Sequence, residues 1–169
     1  MARLLFITPC TLEEMKVYEK EIAYLQSLIP FPHWSKSETE AFMEASIGEL
    51  TLIYLDHLLV GSFSIELHSR RVAEIHGSVN PLIKNNVEKQ QNRLLLNQIY
   101  EKLFHRVFLE LHQRALIAKI HPLGKGSLGF VRHYGFRKVH SQSEESIWVL
   151  RKENYLNKGS KIHGQEKNS

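Results

Sequence analysis

Two stretches of period-two alternation, Leu59–His68 and Val72–Val79, are separated only by Ser69-Arg70-Arg71. Strand side chains alternate between faces, so Phe63, Ile65, Leu67, Ala73 and Ile75 share one parity and Ser64, Glu66, His68, Glu74 and His76 the other. Such a pair predicts an antiparallel hairpin with one apolar and one polar face. Pairing Leu67 with Ala73 sets Glu66 opposite Glu74 and Ser64 opposite His76, which gathers two carboxylates and an imidazole on the polar face. After the second strand come Pro81, a polar break and a long segment of helical periodicity.

The rest of the chain surrounds this hairpin with further elements. Leu4–Thr8 is a short apolar run stopped by Pro9, and Thr11 with Glu14 fits a capping box. A helix is predicted from near Leu12, with Met15, Ile22, Leu25 and Leu28 on its apolar side, ended by Pro30 and Pro32. Ser37-Glu38-Thr39-Glu40 opens a second short helix. Leu50–Leu55 is a strand that joins the hairpin in a meander, with Asp56-His57 at the turn. From Val87 to about Gln113 an apolar stripe of Leu94, Leu95, Ile99, Leu103, Val107 and Leu111 marks a long helix. Ala115–Ile120 is another strand, followed by Gly124-Lys125-Gly126-Ser127, a short helix through His133 closed by Gly135, and final strands Phe136–His140 and Ser146–Arg151.

Length and composition suit one ordinary domain, residues 1–157, with a polar tail, residues 158–169, expected to be disordered. Hydrophobic residues make up 43% and charged residues 24% of the chain, which argues against global disorder. The net charge of +4 is scattered, which suits an anionic ligand and gives no footprint for nucleic acid. No apolar run approaches the roughly 18 residues of a membrane span, and MARLLFITPC has no secretory core, so a cytoplasmic protein without membrane contact is expected. Cys10 is the sole cysteine and is expected to be a small buried residue near the first strand.

The stretch Arg71–Pro81, RVAEIHGSVNP, together with Tyr134–Val139, YGFRKV, resembles the GCN5-related N-acetyltransferase (GNAT) superfamily. The element order from Leu4 to Lys152 looks like that family's complete topology. The resemblance implies an α+β acyl-CoA N-acyltransferase-like fold, a mixed and mostly antiparallel sheet flanked by helices, in which acetyl-CoA or another acyl-CoA serves as cosubstrate. In the family the fourth strand parts from the fifth and the long helix begins at the donor's pyrophosphate, where unpaired N–H groups and the helix dipole favour an anion. Val79-Asn80-Pro81 matches the start of the family's loop, and Lys84 can stand for its basic residue. Asn85, Asn86 and Val87 fall where the family has its glycine-containing turn, and no glycine occupies this loop. Val79, Lys84, Asn85, Asn86 and Val87 are thus the implied donor-binding residues. In Phe130–Arg137, Val131 stands where many members carry a tyrosine acid, and an asparagine of that motif falls on Gly124.

Glu74 falls where members place a general base, and His76 shares its face. Either could take the amine's proton, and Glu66 opposite would raise the proton affinity of one carboxyl by like-charge repulsion. Glu66, His68, Glu74 and His76 are ligand types for Zn or Fe, but two strands rarely complete a shell, and no metal is expected. Phe31, His33 and Trp34 fit either a substrate lid or the packing of a helix junction. Gly124–Ser127 fits either a phosphate loop or a simple turn. The implied reaction is acyl transfer by direct attack of an amine, on a small molecule or a protein, by a monomer or homodimer. The rival is a non-catalytic binding or assembly protein of the same fold, of the kind a phage or mobile element carries. The missing loop glycines and Val131 favour that rival; Glu74 and His76 favour the enzyme.

Overall fold

In the computed structural model, residues 3–27, 35–79, 89–122, 125–142 and 144–165 are described. Seven strands, β1 (Leu4–Ile7), β2 (Thr51–Leu55), β3 (Leu58–Leu67), β4 (Val72–Val79), β5 (Ala115–Ile120), β6 (Arg137–Ser141) and β7 (Ser146–Arg151), form one mixed sheet in the order β1-β2-β3-β4-β5-β7-β6. The β1–β2, β2–β3, β5–β7 and β6–β7 pairs are antiparallel, whereas β4 and β5 are parallel from Val72↔Ala115 to Ile75↔Ala118. The helices are α1 (Leu12–Val17), α2 (Glu19–Ser27), α3 (Lys36–Ala45), α4 (Lys89–His105), α5 (Lys125–His133) and α6 (Lys152–Gln165). The chain divides into two compact units, Met1–Glu66 with His76–Leu95 and Leu67–Ile75 with Leu96–Ser169.

The first unit packs its helices onto its strands through Met15, Ile22, Leu25, Met43, Leu50, Leu52 and Leu59, all buried. Each such side chain removed from water contributes roughly 1.5–3 kcal/mol before the cost of ordering it, so this cluster holds α1–α3 in place. The helix expected from Leu12 is in fact two. Tyr18 leaves helical geometry at φ −103° and ψ 15°, and its N–H turns back to the Met15 carbonyl, so α1 ends there and α2 starts at Glu19. The break preserves the apolar spacing, since Met15, Ile22 and Leu25 all still reach the core.

Thr11 caps α1 by accepting the Glu14 N–H, but the Glu14 carboxylate goes to the Cys10 N–H at 2.7 Å rather than to the cap residue's own. Cys10 is consequently exposed in this turn, not buried as expected. The second helix starts at Lys36, and its cap is Ser35. Ser35 and Glu38 form a complete capping box there, two residues before the anticipated opening.

Asp56 closes the β2–β3 turn at φ 54°, a left-handed conformation that aspartate tolerates, and its carboxylate accepts the Arg3 N–H at 2.9 Å. The pairing of β2 and β3 skips Val60, because Ile53 faces Gly61 and Tyr54 faces Leu59. This bulge lets Leu59 and Val60 both be buried despite being adjacent in sequence.

In the second unit α4 continues through Arg106–Glu110 as a π turn, with the Leu111 N–H reaching the Arg106 carbonyl at 2.8 Å. The wider turn buries Val107 and Phe108 together. The stripe otherwise holds for Ile99, Leu103 and Val107, while Leu94 is exposed. Phe104 is buried among aromatic rings, with Tyr134 at 5.4 Å and Tyr155 at 5.7 Å between centroids. Gly135 at φ 81° ends α5, and the Phe136 N–H returns to the Val131 carbonyl at 2.9 Å, the bond that closes a left-handed helix cap. Helix α6 runs past Lys158, the point from which an unstructured tail was expected. Its start is fixed by the Lys152 N–H on the Arg114 carbonyl and by Tyr155, whose ring stacks on Phe108.

Candidate functional site

Strand β4 carries both residues expected to handle the amine's proton, and the two have different surroundings. His76, in the first unit, places Nε2 3.0 Å from Oε2 of Glu66 near the end of β3. Both side chains are about half exposed, 50% and 59%, so solvent screening leaves the pair worth less than about 1 kcal/mol of stability. Its consequence is orientation. With the Nε2–H donated to the carboxylate, the ring is fixed and the basic lone pair lies on Nδ1.

Glu74, in the second unit, is 2% exposed. Oε2 lies 2.6 Å from His68 Nε2 and 3.2 Å from Lys119 Nζ. A buried carboxylate costs several kcal/mol in lost hydration unless cations and donors replace the water, and here Lys119 and His68 do so. The polar face therefore pairs each carboxylate with an imidazole. On this face Glu66, His68 and His76 are exposed, whereas Glu74 is buried. Lys119 was missed from sequence, although it is the only charge in the strand Ala115–Ile120 and lies in the parallel register two residues past Ile117, which faces Glu74.

His76 also lines a cavity of about 180 Å3 contained in the first unit. Its apolar wall is built by Ile22, Leu25, Phe42, Leu50 and Leu52, and its polar wall by Ser62, Ser64 and Ser78 together with His76 and Gln26. Ser62 and Ser78 exchange a hydrogen bond across the strands at 3.2 Å. Gly77 keeps that wall close: a Cβ there would lie 3.1 Å from the Ser62 carbonyl oxygen. Gln26 and the serines carry no signal in a single sequence, because nothing local separates a cavity-lining amide or hydroxyl from a surface one.

Of the residues implied to bind an acyl donor, Val79 closes β4, and Lys84, Asn85, Asn86 and Val87 lie outside the described residues. Phe31, His33, Trp34, Leu28 and Gly124 lie outside them too. Val131 is fully buried, so its position offers neither a proton nor an opening. The neighbouring Tyr134 donates its hydroxyl to Asn97 Oδ1 at 2.6 Å. Burial first, then Tyr100 and Glu101 beside it, push this phenol well above the ordinary tyrosine range, which makes it a poor acid.

The mixed seven-stranded sheet, with its parallel β4–β5 pair and intervening helix α4, is the fold of the GNAT-family N-acetyltransferases. A GNAT-family acetyltransferase from Bacillus anthracis superimposes with a TM-score of 0.61 at 17% identity, covering 90% of this chain and 99% of that one. A spermidine N-acetyltransferase SpeG chimera from Vibrio cholerae and hSSAT gives 0.63 at 13% identity over 91% and 98%. Campylobacter jejuni N-acetyltransferase PseH in complex with acetyl coenzyme A gives 0.55 at 14% identity over 89% and 99%. No protein-family profile and no curated protein matches the sequence. Among the described residues, no helix is long and apolar enough to cross a membrane.

Proposed function

We propose that the protein is an acyl-CoA-dependent N-acyltransferase in which His76 is the general base and Glu66 orients it. The observation that carries this reading is the Glu66–His76 pair at the wall of a cavity large enough for a small amine. The fold supports it, since neighbours sharing that fold include a spermidine N-acetyltransferase and an enzyme crystallised with acetyl-CoA.

The amine nitrogen attacks the thioester carbonyl carbon, a C–N bond forms, and the tetrahedral intermediate collapses by breaking the C–S bond. The proton lost by the nitrogen goes to Nδ1 of His76, and the CoA thiolate is protonated by water, because neither Val131 nor Tyr134 can supply the proton. Main-chain N–H groups near Val79 polarise the carbonyl, and Lys84, Asn85, Asn86 and Val87 meet the donor's phosphates. In this reading Glu74 does not accept the proton. Its carboxylate is held by Lys119 and His68 and serves to anchor the strand.

The buried Val131 favours the rival of a non-catalytic member that binds without turnover. The two separate in one assay. Purified protein mixed with acetyl-CoA and a primary amine should release CoA thiol in proportion to the amine added. Thiol release no faster than in protein-free buffer across a broad amine panel would leave the rival standing.

A further inference from the structure

Four adjacent strand ends in the second unit each carry an arginine. Arg71 directly precedes β4, Arg114 directly precedes β5, Arg151 closes β7 and Arg137 opens β6, and the four strands lie side by side in the order β4-β5-β7-β6. The register Val72↔Ala115↔Arg151 makes the first three neighbours, and Arg137 faces Val149, two residues before Arg151. Lys152, the first residue of α6, adds a fifth cation. The main chain fixes this rim: the Arg114 and Ala115 N–H groups both donate to the Arg71 carbonyl, at 2.8 and 3.1 Å, and the Lys152 N–H donates to the Arg114 carbonyl at 2.9 Å.

All four arginines are exposed. Arg151 meets a carboxylate, Glu153 at 3.7 Å, but Arg71, Arg114, Arg137 and Lys152 have no ion pair among the described residues. Five cations against one carboxylate leave an excess of four positive charges at this rim, as large as the net charge of the whole chain, +4. Spread along the sequence these residues leave no footprint; the sheet collects them. Neighbouring strands lie about 4.8 Å apart, inside the roughly 8 Å over which physiological salt screens, so the cations repel one another and an anion at the rim relieves that repulsion.

We propose that this rim binds the phosphate backbone of double-stranded nucleic acid, without regard to its sequence. A duplex presents one charge per about 1.7 Å of its axis, so a rim about 14 Å wide meets several phosphates at once. An extended acidic peptide offers one residue per roughly 3.3 Å and turns alternate side chains away, which leaves most of the rim unmet. The choice of residue points the same way. An anionic lipid surface attracts lysine and arginine alike through its potential, whereas the planar arginine fork meets single phosphates with two parallel hydrogen bonds. Contacts of this kind position a protein on the duplex and carry no base information. None of the rim residues has a role in acyl transfer, so the proposal stands independently of the acyltransferase reading.

The test is fluorescence anisotropy of a labelled DNA duplex of mixed sequence, titrated with the full chain between about 50 and about 200 mM salt. Four to five phosphate contacts predict a slope of about −4 for log K against log salt, hence an affinity loss of more than about 100-fold across that range. Arg114→Gln and Arg137→Gln, on separate strands, should each make the slope shallower by about 0.9, and together by about twice that. The main-chain bonds of the rim do not involve the substituted side chains, and urea unfolding of each variant checks that the fold persists. Lys36→Gln, an exposed cation of α3 outside the rim, should leave the slope unchanged. Vesicles containing phosphatidylserine and poly-glutamate are titrated at the same salt as rival anions.

No duplex binding at the lowest salt, a slope that neither arginine substitution alters, or tighter binding to the vesicles or to poly-glutamate than to the duplex would overturn the proposal. Duplex binding with the expected slopes, in a protein that releases no thiol from acetyl-CoA, would leave the rim assignment standing while the acyltransferase reading falls.

Discussion

Replacing His76 by asparagine should lower turnover with acetyl-CoA and a primary amine by about 10²–10⁴-fold, the usual contribution of a positioned general base, with acetyl-CoA affinity unchanged. The prediction rests on the Glu66 contact at 3.0 Å, which fixes the imidazole tautomer, and on the place of His76 in the cavity wall. Glu66→Gln keeps an acceptor oxygen but loses the charge that stabilises the imidazolium, so it should slow the reaction by a smaller factor. Glu74→Gln should leave the rate nearly intact. Steady-state kinetics on the three variants decides between the two carboxylates: a large loss in Glu74→Gln with a near-normal His76→Asn would move the base to Glu74.

The second large effect is on stability. Lys119→Met should destabilise the fold by about 3 kcal/mol, the lower end of what breaking a buried ion pair costs, because His68 remains to share the load. The loss is large because the partner left behind, Glu74, is 2% exposed and cannot regain water. Glu74→Gln should cost less. Lys119 is 42% exposed on its side chain and can turn to solvent once its partner is neutral. Urea unfolding of both variants measures the asymmetry, and equal losses would show that Glu74 is not held chiefly by Lys119.

These contrasts also show where sequence reasoning reached and where it stopped. The alternation of Val72–Val79 and the short apolar run Ala115–Ile120 both mark strands with the bounds observed, because these segments are too short and too β-like for helices. The Thr11 and Gly135 caps were legible because capping chemistry is local. The break at Tyr18 was not, since the apolar spacing of Met15, Ile22 and Leu25 is satisfied on both sides of it. Nor was the π turn at Arg106–Glu110, which shifts burial by one residue without any local marker.

At the site, parity set Glu66 and His76 on one face, where they share a hydrogen bond, but parity carries no information about burial. Glu74 is enclosed because β5 brings Lys119 alongside, a contact 45 positions away in sequence that no local pattern encodes. The same holds for Gln26, which lines the cavity with strand residues that follow it by 26 to 52 positions. The resemblance to a donor loop rests on Val79-Asn80-Pro81, Lys84 and the Asn85-Asn86-Val87 turn, and the glycines missing there are the chain's clearest departure from the family pattern.

That departure makes donor binding the most direct test of the central claim. Acetyl-CoA should be titrated calorimetrically into the purified chain and into Lys84→Glu. The account predicts saturable one-to-one binding in the micromolar range, weakened at least tenfold by the charge reversal as a phosphate contact turns repulsive. No detectable heat at millimolar acetyl-CoA, with the protein shown to be folded, would contradict it.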